Sequence, residues 1–338
     1  MGLLAGLTGC SKEPEKIEPQ GKAYFSYFDT VSYVYSYAGD SAERFESRSA
    51  EVADILKEYH QLFDIYHEYS GINNLCTVNR LAGGDPIKVD ERLISFLKYA
   101  LDLHEKTNGE MNILLGPVLS IWHDYRTEGL DDPTSARLPT QAELFSAAQH
   151  TDISLLEIDE QNSTVRLADP QASIDVGALG KGYATEKAAQ HLATQDANGY
   201  VLNIGGNIRI IGTKPDGSGW VTGVRDPKNP SESFAANVLL KDISCVTSGS
   251  YERFYTVAGK QYHHIIDKDT LWPAEQFASL TVFTKDSGLA DALSTALFCM
   301  SYEDGTSLTE EIPGVDVLWV FHDGEIRYTP GLADKFVD

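Results

Sequence analysis

Ala23 to Ala38 alternates aromatic and small polar residues, with Tyr24, Tyr27, Tyr33, Tyr35 and Tyr37 recurring along it; this predicts a strand. The period then changes. Behind Ser41, a residue type suited to a helix N-cap, Val52, Ile55, Leu56, Tyr59, Leu62 and Phe63 recur at helical spacing and predict an amphipathic helix with its aromatics in the core. A second such helix runs from about Asp90 to Lys106 and stops at Asn108-Gly109, a pair that favours the left-handed residue ending a helix. After Trp122 comes a polar connector with Gly129, Pro133 and Pro139, then a short helix from about Thr140 to His150. Ile153 to Leu167 reads as two strands around the turn residues Asp159 to Ser163. From Tyr200 to Val282 short strands are divided by Gly, Pro and Asp turns. A helix from about Ser287 to Met300 interrupts them, and two strands close the chain.

Helices dominate the first half and strands the second, with no regular β-α-β alternation, which predicts an α+β fold rather than a doubly wound parallel sheet. The 338 residues, 42% hydrophobic and 23% charged, suffice for a large core in one domain or two closely packed ones. Charge narrows the function. Fifty acidic against 27 basic residues give a formal net of −23, which argues against nucleic acid as a partner, because binding it requires Lys and Arg against phosphate. An anionic nucleotide can bind only where a metal, a helix N-terminus or a few cations reverse the local field.

The first ten residues form an apolar run ending Leu7-Thr8-Gly9-Cys10. Small residues before a cysteine resemble a bacterial lipoprotein cleavage site with Cys10 as the lipidated residue, although the run is short and lacks a basic start. The alternative is a frayed terminus with an incidental cysteine. Residues 11–22, rich in Glu, Lys and Pro, suit a flexible tether, and residues 23–338 form the folded body. Each buried acyl CH₂ contributes about 0.8 kcal/mol, so two or three chains would hold the protein at a membrane. The body is therefore expected on the extracytoplasmic side, lipid-anchored to the cell membrane. Cys76, Cys245 and Cys299 lack zinc-site spacing and are expected to be buried small hydrophobes.

Five segments carry candidate chemistry. In Leu289 to Leu297, Asp291 and Thr295 stand four apart in a helical context, so their oxygens project side by side. Hard oxygens suit Mg²⁺, which takes one or two protein groups and fills its shell with water or phosphate; a cap acid and a back-bonded hydroxyl are the structural alternative. Ile174 to Tyr183 places Gly177, Gly180, Lys181 and Gly182 between a strand and a helix, where amides and a cation can meet phosphate, or where a tight turn simply carries an exposed lysine. The Gly205-Gly206-Asn207 turn and the Thr247-Ser248-Gly249 segment fit either a ligand or a structural turn. Of the pair His263-His264, strand alternation sends the rings to opposite faces, so at most one enters a given site.

Taken in order, these segments resemble the FAD:protein FMN transferase (ApbE) family. The resemblance runs from about Tyr24 to Tyr328, through Phe28-Asp29-Thr30, Phe63-Asp64-Ile65-Tyr66, Asn79-Arg80, Lys106 to Gly109, Gly116-Pro117, Trp122, the glycine-lysine turn, Asn203 to Asn207, Trp220 to Pro227, Thr247 to Gly249, His264 to Asp267 and Ala290 to Leu297. It departs from the pattern at Gly180, where many members have Ala, and at Asn73-Asn74, where Ser-Glu is usual. It implies a T-fold-like architecture of mixed and antiparallel sheets with packed helices. It also implies FAD as substrate, Mg²⁺ as cofactor and transfer of FMN to a Ser or Thr of an acceptor protein in a membrane redox complex or related extracytosolic flavoprotein, with AMP released. By the same resemblance Asp291, Thr295 and a main-chain carbonyl near Gly180 would hold the metal. Lys181 and the amides beside it would meet the pyrophosphate. Thr247, Ser248, Gly205, Gly206 and Asn207 would line the nucleotide, Tyr66 would stack on a ring, and His264 would stand by the reacting phosphate.

Such a displacement depends on positioning and charge neutralisation, with His264 or a nearby carboxylate taking the hydroxyl proton. The rivals are an FAD pyrophosphatase yielding FMN and AMP, a flavin-binding lipoprotein without catalysis, and an envelope scaffold that binds no flavin.

Overall fold

The alternation over Ala23 to Ala38 folds as two strands, not one: β1 (Gln20–Tyr27) and β2 (Thr30–Ser36) pair antiparallel, with Tyr27 opposite Thr30. Phe28 and Asp29 make the two-residue turn, both left-handed at φ 55° and 50°, the backbone that a tight hairpin requires. Neither residue is the usual Gly or Asn, so the turn leaves little trace in the sequence. The computed structural model describes residues 18–337; the predicted lipidation site Cys10 lies outside them. The predicted tether also ends earlier than Lys22, because β1 already begins at Gln20.

Next come α1 (Ala42–Phe63), capped by Ser41 as expected, α2 (Leu75–Arg80), β3 (Ile87–Lys88) and α3 (Glu91–Lys106), capped by Asp90. The first part of the polar connector predicted after Trp122, as far as Gly129, is instead the end of a helix, α4 (Gly116–Asp131), with Pro117 in its first turn, where the missing N–H has no helical partner to lose; Pro133 and Pro139 lie in the connector beyond it. Gly129 masked it. A Cβ at Gly129 would lie 2.8 Å from the Tyr255 ring, so the glycine admits a neighbour rather than breaking the helix. After α5 (Gln141–Ala148), β4 (Leu156–Asp159) and β5 (Thr164–Leu167) comes α6 (Gly180–Thr194).

The strand-rich half supplies β6 (Tyr200–Ile204), β7 (Asn207–Ile211), β8 (Trp220–Arg225), β9 (Phe234–Leu240), β10 (Ser244–Gly249), β11 (Tyr255–Val257), β12 (Lys260–Tyr262) and β13 (Ser279–Thr284). Then follow α7 (Ser287–Cys299), α8 (Tyr302–Glu311), β14 (Asp316–Val320), β15 (Ile326–Tyr328) and β16 (Phe336–Val337). The sequence pattern missed α8. Ser301 caps it, but apart from Leu308 it buries only Gly305 and Thr309, so its apolar stripe is thin.

Eight strands form one sheet in the order β1-β2-β6-β7-β10-β13-β14-β15, every neighbouring pair antiparallel. The α+β class holds. Alternation gives the sheet two covered faces. Val246, Leu280, Val282, Val317 and Trp319 pack under α7 and α8, whereas Cys245, Phe283, Leu318 and Val320 pack against the β8–β9 ribbon. A second core joins α1, α3 and α6 to β2 and β6. The two helices that matter most for function, α6 and α7, cross where these cores meet.

Candidate active site

One cavity of about 910 Å³ is lined by the end of α1, α4, the start of α6, β10, the segment around His264, and α7. That volume suits a dinucleotide-sized ligand. Its floor is the crossing of α6 and α7. A Cβ at Gly182 would fall 2.3 Å from the Ser287 carbonyl oxygen and 2.4 Å from Asp291 Cβ, so only glycine lets the two backbones meet. At that contact Asp291, 5% exposed, accepts the Gly182 N–H through Oδ2 at 2.7 Å. The carboxylate thus satisfies one of the free amides at the start of α6 and gains from its dipole, while Oδ1 stays available to a ligand. Glu186 fastens the same junction, its Oε2 accepting from the Ser287 N–H at 3.1 Å and from Arg209 Nε at 3.2 Å.

Asp291, Thr295 and Cys299 follow one another at four-residue steps and all line the cavity, which is the face that helical spacing dictates. Gly180 also lines it, but as the first residue of α6 its carbonyl points along the helix to accept the N–H four residues on. The carbonyl without such a partner is that of Ala178, because the Gly182 N–H that would reach it donates to Asp291 instead. No local pattern betrays that exchange, because its acceptor lies on another helix. Lys181 lines the cavity and donates from Nζ to the Gly177 carbonyl at 3.3 Å. Thr247 and Ser248 also line it, with their hydroxyls already engaged by Thr281 at 2.8 Å and Ser294 at 2.9 Å.

Gly205 and Gly206 turn β6 into β7 at φ 58° and 95°. Gly205 lines the cavity; Gly206 does not, and it serves the turn, where its N–H donates to Asn203 Oδ1 at 3.0 Å. Asn207 is buried at 3% exposure, and its Nδ2 has no partner. Tyr66 stands at the rim, 57% exposed, with its ring 5.6 Å from that of His123. Asp64 shapes the turn beneath it, accepting from the Tyr66 and His67 N–H groups at 2.7 and 3.0 Å and from the Tyr69 hydroxyl at 2.8 Å. Burial works against that carboxylate, yet these hydrogen bonds together hold it below the usual range.

The two histidines follow β12 rather than lie in it, and both border the cavity, contrary to the expectation from strand alternation; what separates them is their bonding. His263 is satisfied within the protein: its Nε2 donates to the Ala274 carbonyl at 2.8 Å, its Nδ1 accepts from the Ile265 N–H at 3.2 Å, and it packs edge-on against Phe298. His264 lines the cavity with a buried, unpartnered Nδ1. Burial first, then Arg253, His263, Arg126 and Lys181, push its imidazolium down to about 3, so the ring is neutral and able to accept. Asp175 also lines the cavity; burial raises its carboxyl, although its Oδ1 accepts the Gly177 N–H at 2.8 Å. Asp175, His123, Arg126 and Arg253 are cavity residues to which sequence reasoning assigned no role. The cysteines are less uniform than expected: Cys245 is buried, while Cys76 and Cys299 are half-buried.

Trp122 ties the walls together. Its indole N–H donates to the Leu271 carbonyl at 2.9 Å, joining α4 to the loop beyond His264, and its ring meets Trp272 edge-on at 5.2 Å.

The comparisons with known proteins agree with this geometry. Residues 28–319 match the ApbE family. An FAD:protein FMN transferase of Treponema pallidum (strain Nichols) is 32% identical over 320 residues, spanning 90% of this chain and 86% of the relative. One from Haemophilus influenzae is 27% identical over 316 residues, 92% of this chain and 88% of the relative. The crystal structure of the ApbE protein from Thermotoga maritima shares the fold at a TM-score of 0.81 and 27% identity, covering 95% of this chain and 100% of that one. The flavin transferase ApbE from Vibrio cholerae aligns at 0.76 and 23% identity over 94% of this chain and 99% of its own. With the match running from the β1–β2 turn to β14 and the fold shared over 95% of the chain, the chain belongs to the ApbE family.

Proposed function

We propose that the chain transfers FMN from FAD to a Ser or Thr hydroxyl of an extracytosolic acceptor protein, with release of AMP, in a Mg²⁺-dependent reaction. The coarser activity, FAD:protein FMN transfer, comes with the family. The finer reading is carried by one observation: hard oxygens, a buried neutral histidine and a helix N-terminus with its lysine converge on one cavity of an otherwise strongly acidic protein.

Asp291 and Thr295 fit Mg²⁺, since Asp291 keeps an oxygen free beside the Thr295 hydroxyl, and the Ala178 carbonyl, close to the Gly180 carbonyl that the sequence pointed to, lacks a partner. When bound there, Mg²⁺ would neutralise charge on the phosphate oxygens. Lys181, through its ammonium and its own main-chain N–H at the start of α6, would hold the pyrophosphate, and Asn207 Nδ2 offers a donor to a carbonyl oxygen of the nucleotide. The acceptor hydroxyl attacks the flavin-side phosphorus, the bond to the AMP oxygen breaks, and the neutral imidazole of His264 takes the hydroxyl proton. Lys181, one of the cations that depress His264 in the free protein, would be offset by the bound pyrophosphate, which raises the basicity of the ring when it is needed. Tyr66 covers the flavin from the rim. A lipid on Cys10 would keep the enzyme at the membrane surface where its acceptors stand.

Incubation with FAD, Mg²⁺ and an acceptor domain should add the mass of one FMN to the denatured acceptor and release one AMP. Release of AMP with an unmodified acceptor would make the protein a pyrophosphatase, and FAD binding without AMP would make it a flavin-binding lipoprotein. Cys10→Ala should move the protein from the membrane fraction to the soluble one.

A further inference from the structure

Of the eleven arginines in the chain, nine lie within 4.0 Å of a carboxylate. The two that do not, among the described residues, are Arg126 and Arg253, and both line the cavity. In a chain of net charge −23, acids are abundant, so two unpaired guanidiniums in one place are a specific arrangement. The nearest acid in sequence is directed elsewhere: Glu252 pairs with Arg225 at 3.6 Å. Arg126 meets a ring nitrogen of His123, Nη2 to Nδ1 at 3.0 Å, and no carboxylate among the described residues. Burial and then the charge of Arg253 lower the Arg126 guanidinium from its ordinary value, as mutual repulsion between neighbouring cations requires. Arg253 is held in a left-handed backbone at φ 49°.

Position selects the ligand. The floor already supplies Lys181 and the Asp291–Thr295 pair for a pyrophosphate. Arg253 is exposed, and Arg126 is joined through His123 to exposed Tyr66, so this pair faces whatever arrives from solvent after FAD is seated. Guanidinium forks match carboxylates in a bidentate geometry that lysine cannot reproduce.

We propose that Arg126 and Arg253 form a carboxylate clamp at the cavity rim, which receives an acidic side chain of the acceptor protein beside the hydroxyl to be modified. The clamp rests on the transferase reading. It also answers the problem of approach, since an acidic segment is otherwise repelled by this surface.

The probes are fluorescent peptides carrying one Thr with either Asp or Asn at each neighbouring position, bound to the FAD- and Mg²⁺-loaded protein and followed by anisotropy. Wild type should bind at least one Asp peptide about tenfold more tightly than its Asn twin, the scale of a charged hydrogen bond. The Arg126→Gln/Arg253→Gln double variant should lose that preference, Lys at both positions should restore it only in part, and the dissociation constant for FAD without peptide should stay within about twofold of wild type. Equal binding of every Asp and Asn pair by wild type overturns the clamp, and so does an FAD affinity that falls with the arginines, which would assign the anion to FAD itself. Because binding is read apart from transfer, a wild type that prefers Asp but modifies no Thr fails the transferase reading while the clamp stands.

Discussion

The cavity floor and the cavity rim are built on opposite principles. At the floor, two helix backbones touch through Gly182, and the buried Asp291 carboxylate is fixed by a main-chain N–H. At the rim, Tyr66 and Arg253 are exposed, and side chains from distant segments meet one another with little backbone support. The floor is thus suited to chemistry that needs a fixed geometry, and the rim to a partner that must come and go.

If this contrast is correct, damage to the floor should be severe and damage to the rim mild. Gly182→Ala should be the most harmful change. It forces the α6–α7 crossing apart at contacts of 2.3 and 2.4 Å, at a cost of about 2–3 kcal/mol. A fall in melting temperature together with loss of FAD binding checks it, and a variant with wild-type binding would deny that the crossing sets the floor. Asp291→Asn keeps an acceptor for the Gly182 N–H but removes the charge. Its melting temperature should therefore hold while FMN transfer at saturating FAD falls about 10²–10³-fold.

His264→Gln should lower the transfer rate about 10²-fold, the lower end for a general base. It also carries a pH signature. The folded state holds this imidazolium at about 3, against about 6.5 when unfolded, so between those values the unfolded chain binds the extra proton. Stability contributed by keeping the ring neutral is present above pH 6.5 and is lost as pH falls towards 3. Wild type should lose more melting temperature between pH 7 and pH 5 than His264→Gln does; parallel losses would remove His264 from that role. Tyr66→Ala, at the rim, should weaken FAD binding by only about three- to tenfold, the range of one aromatic contact, and leave the melting temperature unchanged.

The floor was largely legible in the sequence, and the rim was not. Asp291, Thr295 and Lys181 sit in short segments whose local pattern already implies a helix face and a helix start, and local pattern is what a sequence displays directly. What stayed hidden depends on neighbours far along the chain. Gly129 reads as a breaker until Tyr255 is known to pack on it, which is why the part of α4 after Trp122, with His123 and Arg126, passed for a connector. Arg126 and Arg253 become a pair only through the fold. Gly206 misled in the other direction: its glycine signal is real, but it belongs to a hairpin turn and not to the cavity. Ala178 could not have been found by composition, since its free carbonyl follows from Gly182 giving its N–H to a side chain of another helix.

The edge-on contact between Trp122 and Trp272 has a practical consequence. Trp122 lines the cavity, and a bound isoalloxazine absorbs in the region where indole emits. The protein therefore carries its own optical gauge: tryptophan emission should dim as FAD enters and stay dim if FMN is retained. It should brighten again only when the flavin leaves on its acceptor, so a full turnover can be followed without any attached dye.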